Sequence, residues 1–310
     1  MEILPLDRSR AAEAVKVFNR ENERFEFVAK LTVELFESQV ASKNIFDPET
    51  SFLAVEDGRP LGFALGCAGR GEDDVPDAAI GAVDGLFFPE GRLHVGDELL
   101  DKCVKSLKMR EARTIYGFAS RPHYPFWRGI YFGAEPVCAS AYTHAWATFM
   151  AHGFEHHQQS FTFLGPVRPG DYQADLDYQV SALDVSTPWL QESWKGLSPR
   201  TISARADGEE AGRIGFVFLP WISQRRGIST AGIASLWVNA AWRRRGIASS
   251  LMHRLFELLK QEEVEDVLVG TTVQNIAARR TYEKAGMRVV GFRTGTRYEV
   301  KPGRRGTRKE

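Results

Sequence analysis

Cysteine is scarce in this chain, and its few copies lie far apart. The 310 residues hold only Cys67, Cys103 and Cys138, with no C-x-x-C pair. That pattern suggests neither a disulfide framework nor a structural zinc site. Long apolar runs are missing too: no stretch reaches the roughly 20 residues that a membrane-spanning helix needs. The opening Met1-Glu-Ile-Leu-Pro-Leu-Asp7 lacks the pattern of a secretory leader, so a cytoplasmic location is expected. Charge imbalance is also absent. The 40 basic side chains equal the 40 acidic ones, and bulk charge therefore directs the chain neither to nucleic acid nor to an anionic membrane. What is present is ordinary for a globular protein: 43% hydrophobic and 26% charged residues. A chain of this length favours two domains.

The most informative stretch is Ile233 to Ser249 (I-A-S-L-W-V-N-A-A-W-R-R-R-G-I-A-S). It begins as a strand with Ile233, Leu236 and Val238. It turns through Asn239 and Ala240 into three arginines and Gly246. Apolar residues then return at helical spacing, at Ile247, Leu251, Leu255, Leu258 and Leu259. A strand that feeds a helix through a basic, glycine-containing loop is suited to phosphate. The first N–H groups of a helix lack intrahelical partners, and the macrodipole is positive there. Gly246 lets backbone approach an anion, Ala248 keeps the next position small, and the arginines add full charges. Read alone, the same residues also describe a solvated basic turn before an ordinary helix.

Downstream, Val267–Thr271 reads as a buried strand. It is followed by Asn275, Ala278, Tyr282 and Gly286 at helical spacing, and then by a strand, 288–293. Ala278 and Tyr282 share a helix face, and Gly286 suits the left-handed residue that ends a helix. Arg243-x-x-Gly246-x-Ala248 resembles the coenzyme A loop of the GNAT superfamily of acyltransferases. The spacing Asn275-x-x-Ala278-x-x-x-Tyr282-x-x-x-Gly286-Met287 resembles its second signature, with Met287 in place of phenylalanine.

The first half has the same order of elements. Helices are expected at 9–22 and 29–40, a hairpin about Asp57-Gly58, a strand at 79–88, a helix at 95–107, a strand at 115–119 and a helix at 141–151. Gly153-Phe154 matches Gly286-Met287 at a separation of 286 − 153 = 133, which sets Phe149 under Tyr282 and Tyr142 under Asn275. The first-half loop, Glu90 to Glu98, has the wrong arginine-to-glycine spacing and carries acids where a pyrophosphate needs N–H groups. The fold expected from the resemblance is α+β with a mixed sheet, as two tandem GNAT-like domains. Residues 1–165 are a degenerate GNAT-like domain, 166–300 the catalytic one, and 301–310 a flexible basic tail.

Other features have bland and sharp readings. The aromatic segment 121–137 either lines an acceptor pocket or packs between domains, and packing is favoured. His144, His152, His156 and His157 complete no recognisable ligand spacing, so no metal is expected. Residues 171–199 are hard to assign in detail but are a candidate source of the second domain's first strand and helix, 221–230 read as a polar basic loop, and the tail reads as a solvated terminus.

The resemblance implies an acetyl-coenzyme A-dependent N-acetyltransferase acting on a small-molecule primary amine in a ternary complex. Leu236, Trp237 and Val238 would pair with the pantetheine arm through their backbone. Arg243, Arg244, Arg245, Gly246, Ile247, Ala248 and Ser249 would hold the phosphates. Asn275 would bond the coenzyme or a water, and Tyr282 would protonate the departing thiolate. No carboxylate stands on the central strand to serve as base. The alternatives are a coenzyme A-binding regulator without turnover and a ribosome-associated modifier that uses the basic tail. Partnership with membrane or nucleic acid is not expected.

Overall fold

The computed structural model describes residues 1–70, 76–118, 126–131, 142–170 and 176–300. Its first half runs β1 (Glu2–Pro5), α1 (Ala11–Glu21), α2 (Val33–Phe36), β2 (Phe52–Glu56), β3 (Arg59–Arg70), β4 (Pro76–Phe87), α3 (Leu93–Met109), β5 (Thr114–Gly117), α4 (Thr143–Ala151) and β6 (Glu155–Pro166). The second half keeps the succession of strands, with one helix rather than two before its hairpin and a further helix after it: β7 (Asp177–Ala182), α5 (Pro188–Ser193), β8 (Arg200–Ala206), β9 (Glu209–Phe218), α6 (Pro220–Arg226), β10 (Thr230–Val238), α7 (Ile247–Gln261), β11 (Asp266–Thr272), α8 (Ile276–Lys284) and β12 (Arg288–Glu299). The mixed α/β architecture expected from the sequence is present, in two copies.

Local chemistry accounts for most boundaries. Asp57 and Gly58, and again Asp207 and Gly208, adopt the positive φ that joins twisted strands in a tight hairpin. The second helix is shorter than its apolar pattern suggested. Thr32 caps its start by accepting from the Leu35 N–H, and the last turn widens over Glu37–Ala41. The stretch 221–230, expected as a loop, instead contains α6. Pro220 occupies its first turn, and Gly227, at φ 67°, ends it.

All 12 strands form one sheet, in the order β1-β2-β3-β4-β5-β12-β6-β11-β10-β9-β8-β7. Neighbours are antiparallel except β4 with β5 and β10 with β11, which are parallel. The order reads alike from both edges, with one twist at the centre. The last strand of the second half, β12, pairs with β5 of the first, while β6 of the first half pairs with β11 of the second. Each half thus completes its sheet with the other's terminal strand. β6 and β12 also pair with each other, Arg293 opposite Ser160, and 293 − 160 is the 133-residue repeat found in the sequence. A pseudo-two-fold axis therefore passes through that pair.

Two apolar clusters hold the sheet. One lies under α7 and α8 in the second half. The larger one spans the first half and continues onto the opposite face of the second, through Leu164, Val217 and Leu268. The described part of the aromatic segment belongs to it: Phe126, Trp127, Ile130 and Tyr131 are buried, and Trp127 stacks on Phe18 at 5.2 Å. Packing is thus its role there; residues 121–125 and 132–137 lie outside the described residues, as do Cys138 and the tail.

Candidate functional site

β10 and β11 are paired only from Thr230–Asp266 to Ile233–Val269. Beyond Ile233, a bulge at Ala234 shifts β10 against β9, and the described strands run on to Val238 and Thr272 without pairing to each other. The edge of β10 over 234–238 is therefore open toward β11. Leu236 and Val238 turn their side chains to the α7 cluster, whereas Trp237, 41% exposed, faces the opposite side.

At the end of the same strand, a one-turn 3-10 segment, Ala240–Trp242, leads into the arginine loop. Arg244 and Gly246 both take left-handed backbone, at φ 66° and 83°. That conformation is routine for glycine and costs an arginine about 1 kcal/mol. Gly246 provides no side-chain cap, so the first N–H groups of α7 are unsatisfied within the helix. The apolar face made by Ile247, Leu251, Leu255 and Leu259 anchors α7 against the sheet. The three arginines are exposed around this terminus. The Arg243 Nε donates to the Val238 carbonyl at 3.2 Å, and the Arg245 guanidinium lies 4.9 Å from the Trp242 ring.

Asn275 heads α8, which leaves the end of β11. Its Oδ1 accepts from the Ala278 N–H at 3.2 Å, so it is the helix cap, a role that the expected contact with coenzyme or water does not include. Tyr282 is 3% exposed and packs on Phe163 at 5.6 Å. Phe163 pairs with Val269, the last residue joined to β10. The tyrosine thus sits behind the point where the ladder opens, and Gly286 ends its helix at φ 79°. The arginine loop and Asn275 emerge from the same ends of adjacent parallel strands, the usual place for a ligand in such sheets. Asp266, the one carboxylate on β10 or β11, is at the far end, bonded to Arg226 at 2.7 Å.

The first half treats the equivalent position differently. Its parallel pair ends at Val83–Gly117, and the bulged residue is Asp84. The Trp127 indole donates to the Asp84 carbonyl at 2.8 Å. The Asp84 carboxyl is buried, its Oδ2 meets no donor among the described residues, and burial holds its pKa far above the usual carboxylate range. The phosphate-loop counterpart is occupied by ion pairs, Arg92 with Glu56 at 3.3 Å and Arg24 with Glu90 at 3.6 Å. The histidines are separate. His144 contacts the Phe88 carbonyl, His152 the Thr148 carbonyl, His156 the Thr294 hydroxyl and His157 the Tyr116 ring. No group able to hold a metal ion occurs among the described residues. No helix among them is long and apolar enough to cross a membrane.

Residues 169–287 match the family model described as acetyltransferase (GNAT) family. No curated protein matches the sequence. Several solved structures share the fold of the whole chain. A tandem GNAT protein from the clavulanic acid biosynthesis pathway aligns at TM-score 0.66 and 14% identity, covering 97% of this chain and 99% of that one. A GCN5-related N-acetyltransferase from Sphaerobacter thermophilus aligns at 0.64 and 15%, covering 97% and 96%. The glucosamine N-acetyltransferase region of a fungal multi-domain β-N-acetylglucosaminidase aligns at 0.67 and 14%, covering 96% of this chain and 38% of that one.

Proposed function

We propose, from the match of residues 169–287 to the GNAT family model and from the fold the chain shares with tandem GNAT proteins, that the protein is an acetyl-coenzyme A-dependent N-acetyltransferase. The observation that carries the reading is the ladder that stops at Ile233–Val269, with an anion-ready helix start at the end of the same strand. The pantetheine arm pairs with the open edge of Leu236, Trp237 and Val238. The phosphates meet the N–H groups of Arg244, Arg245, Gly246, Ile247, Ala248 and Ser249 and the arginine side chains from Arg243 on. Asn275 keeps its Nδ2 for the coenzyme or a water while its oxygen caps α8.

The reaction is direct transfer in a ternary complex to the primary amine of a small molecule. The neutral amine nitrogen attacks the thioester carbon, the C–S bond breaks, Tyr282 gives its proton to the leaving thiolate, and the proton released by the nitrogen passes to solvent water, from which Tyr282 is reprotonated. A positioned acid of this kind contributes roughly 10²–10⁴-fold. Holding amine and thioester together supplies much of the rest. In this reading 166–300 carry the coenzyme, 1–165 are a degenerate partner domain that has lost it, and the protein works in the cytoplasm.

Calorimetric titration of acetyl-coenzyme A into the wild type and Gly246→Glu tests the site. One site of micromolar affinity, lost in the variant, is the expected result. A side chain at φ 83° is strained, and a carboxylate there repels phosphate. Unchanged affinity in the variant would mean that the loop does not hold the coenzyme, and two sites would restore coenzyme binding to the first half. A regulator that binds coenzyme without turnover is the second reading. It is favoured by one observation, the lack of a carboxylate on β10 and on the open end of β11. Release of free thiol on adding amines separates the two.

A further inference from the structure

Among the described residues, one face of the second half's sheet is uncovered where β10 opens. Ile202, Ala204, Ile214, Leu236 and Val238 turn toward the α7 cluster, so their sequence neighbours face the other way. Strand register lines these neighbours into rows. Gln179 lies opposite Ser203, Ser203 opposite Arg213, and Arg213 opposite Trp237. The next row ends at Ser235 on β10, beside Gly215. All four members of the first row are exposed or half-exposed, and no helix covers them among the described residues. The equivalent region of the first half lies under α1 and the aromatic segment.

The groups on this face are already engaged with one another. The Arg213 guanidinium lies 5.2 Å from the centre of the Trp237 ring. Its Nε is 3.5 Å from Glu210, which also accepts from the Ser203 hydroxyl at 3.1 Å. The result is one broad aromatic ring beside a guanidinium, a carboxylate, an amide and hydroxyls, with no excess of either charge.

The position fixes what meets it. α7 packs on the opposite face, and in the proposed function the phosphates sit at its start and the acyl end of the coenzyme lies between β10 and β11. An acceptor therefore reaches the thioester from the bare face, past Ser235. Trp237 is two residues further along β10, about 7 Å away, and four strands span about 14 Å, room for one or two six-membered rings. An apolar amine would leave Glu210, Arg213 and Gln179 desolvated without partners. A polycation would meet Arg213 as well as Glu210. A polyhydroxylated ring satisfies both requirements: its C–H face packs on the indole, and its hydroxyls bond the guanidinium, carboxylate and amide.

We infer that this face is the acceptor platform and that it selects an amine carried on a polyhydroxylated ring, an amino sugar or aminocyclitol. The inference rests on the acetyl-transfer reading above. Arg213, Glu210 and Gln179 are the specificity-determining residues, and none of them touches the coenzyme.

Glucosamine is the probe. It is titrated calorimetrically into the coenzyme A-loaded wild type and into Arg213→Ala, and acetyl transfer to glucosamine, spermidine, hexylamine and a tripeptide is compared by thiol release. Saturable glucosamine binding is expected, weakened at least ten-fold in the variant. Glucosamine should have the highest kcat/KM of the four, and Arg213→Ala should raise its KM while leaving that for acetyl-coenzyme A within two-fold. Absence of saturable binding, equal binding in the variant, or preference for another of the four amines overturns the platform, even with coenzyme binding intact. Failure to bind acetyl-coenzyme A instead overturns the proposed function, and the platform with it.

Discussion

Lys43 brings an ammonium into the seam between the halves, where it is 2% exposed and donates to the Glu192 carbonyl at the end of α5. Burial pushes its pKa down to about 7, partly offset by Glu192 and aided by Arg128 and Lys195. A base depressed by folding contributes stability that is present above its unfolded pKa and lost as pH falls through the folded one. Stability should therefore fall between about pH 10 and pH 7. In Lys43→Met that part of the slope should vanish. Denaturant unfolding of both proteins at pH 7, 8, 9 and 10 would show it, and parallel curves would mean that Lys43 titrates normally. Tyr282 makes a different kind of prediction. Its ring packs on Phe163, which Tyr282→Phe preserves, so loss of the hydroxyl alone should lower kcat at least about ten-fold with coenzyme affinity retained. An unchanged kcat would remove it as the acid. For Asn275 the cap and the proposed coenzyme contact separate by readout. Asn275→Ala should cost about 1 kcal/mol of stability through the lost cap, measured without coenzyme. No loss there would mean that the cap bond contributes nothing.

At the scale of elements, what the sequence revealed was what depends on nearby residues. Asp57-Gly58 and Asp207-Gly208 made their hairpins, Gly246 opened α7, Gly286 closed α8, and the apolar spacing of α7 set its buried face. The 133-residue repeat was legible because α4 with β6 and α8 with β12 keep the same lengths. Elements with weak patterns were missed. α6 buries only Ile222, so its Pro220 and Gly227 were signals without a periodicity to support them. β7 has no buried position at all, so a strand and a helix could be expected within 171–199 without bounds for either. The site divides along the same line. The arginine loop and the α8 residues could be read as motifs, whereas the bulge at Ala234 and the row ending in Trp237 depend on register between strands. Lys43 and Glu192 are 149 residues apart, and no local rule joins them.

At the scale of the whole molecule, the exchange of β6 and β12 makes the halves one body. β12 makes antiparallel ladders with both β5 and β6, and β6 makes one with β11. Cutting the connection between Pro166 and Asp177 leaves every one of these ladders intact. A protease site placed there should be cleavable with the two pieces still eluting together, parting only in denaturant. Separation on gel filtration without denaturant would show that the ladders do not hold the halves. Expressed alone, each piece would carry one strand meant for the other and lack its own, leaving the edge of β5 or β11 open to aggregation.

The same exchange puts a clock on biosynthesis. The strand that closes the first half against β5 spans Arg288–Glu299, whereas β5 itself ends at Gly117. From Gly117 to Glu299, 299 − 117 = 182 residues remain to be translated. At about 5–20 residues per second that is on the order of 10–40 s. During that time the nascent first half waits with its β5 edge unpaired, and β6, once made, lacks β11 until residue 272 and β12 until residue 299. An edge left unpaired for that long is a template for pairing with another chain, so the last strand to be made is also the one that closes this hazard.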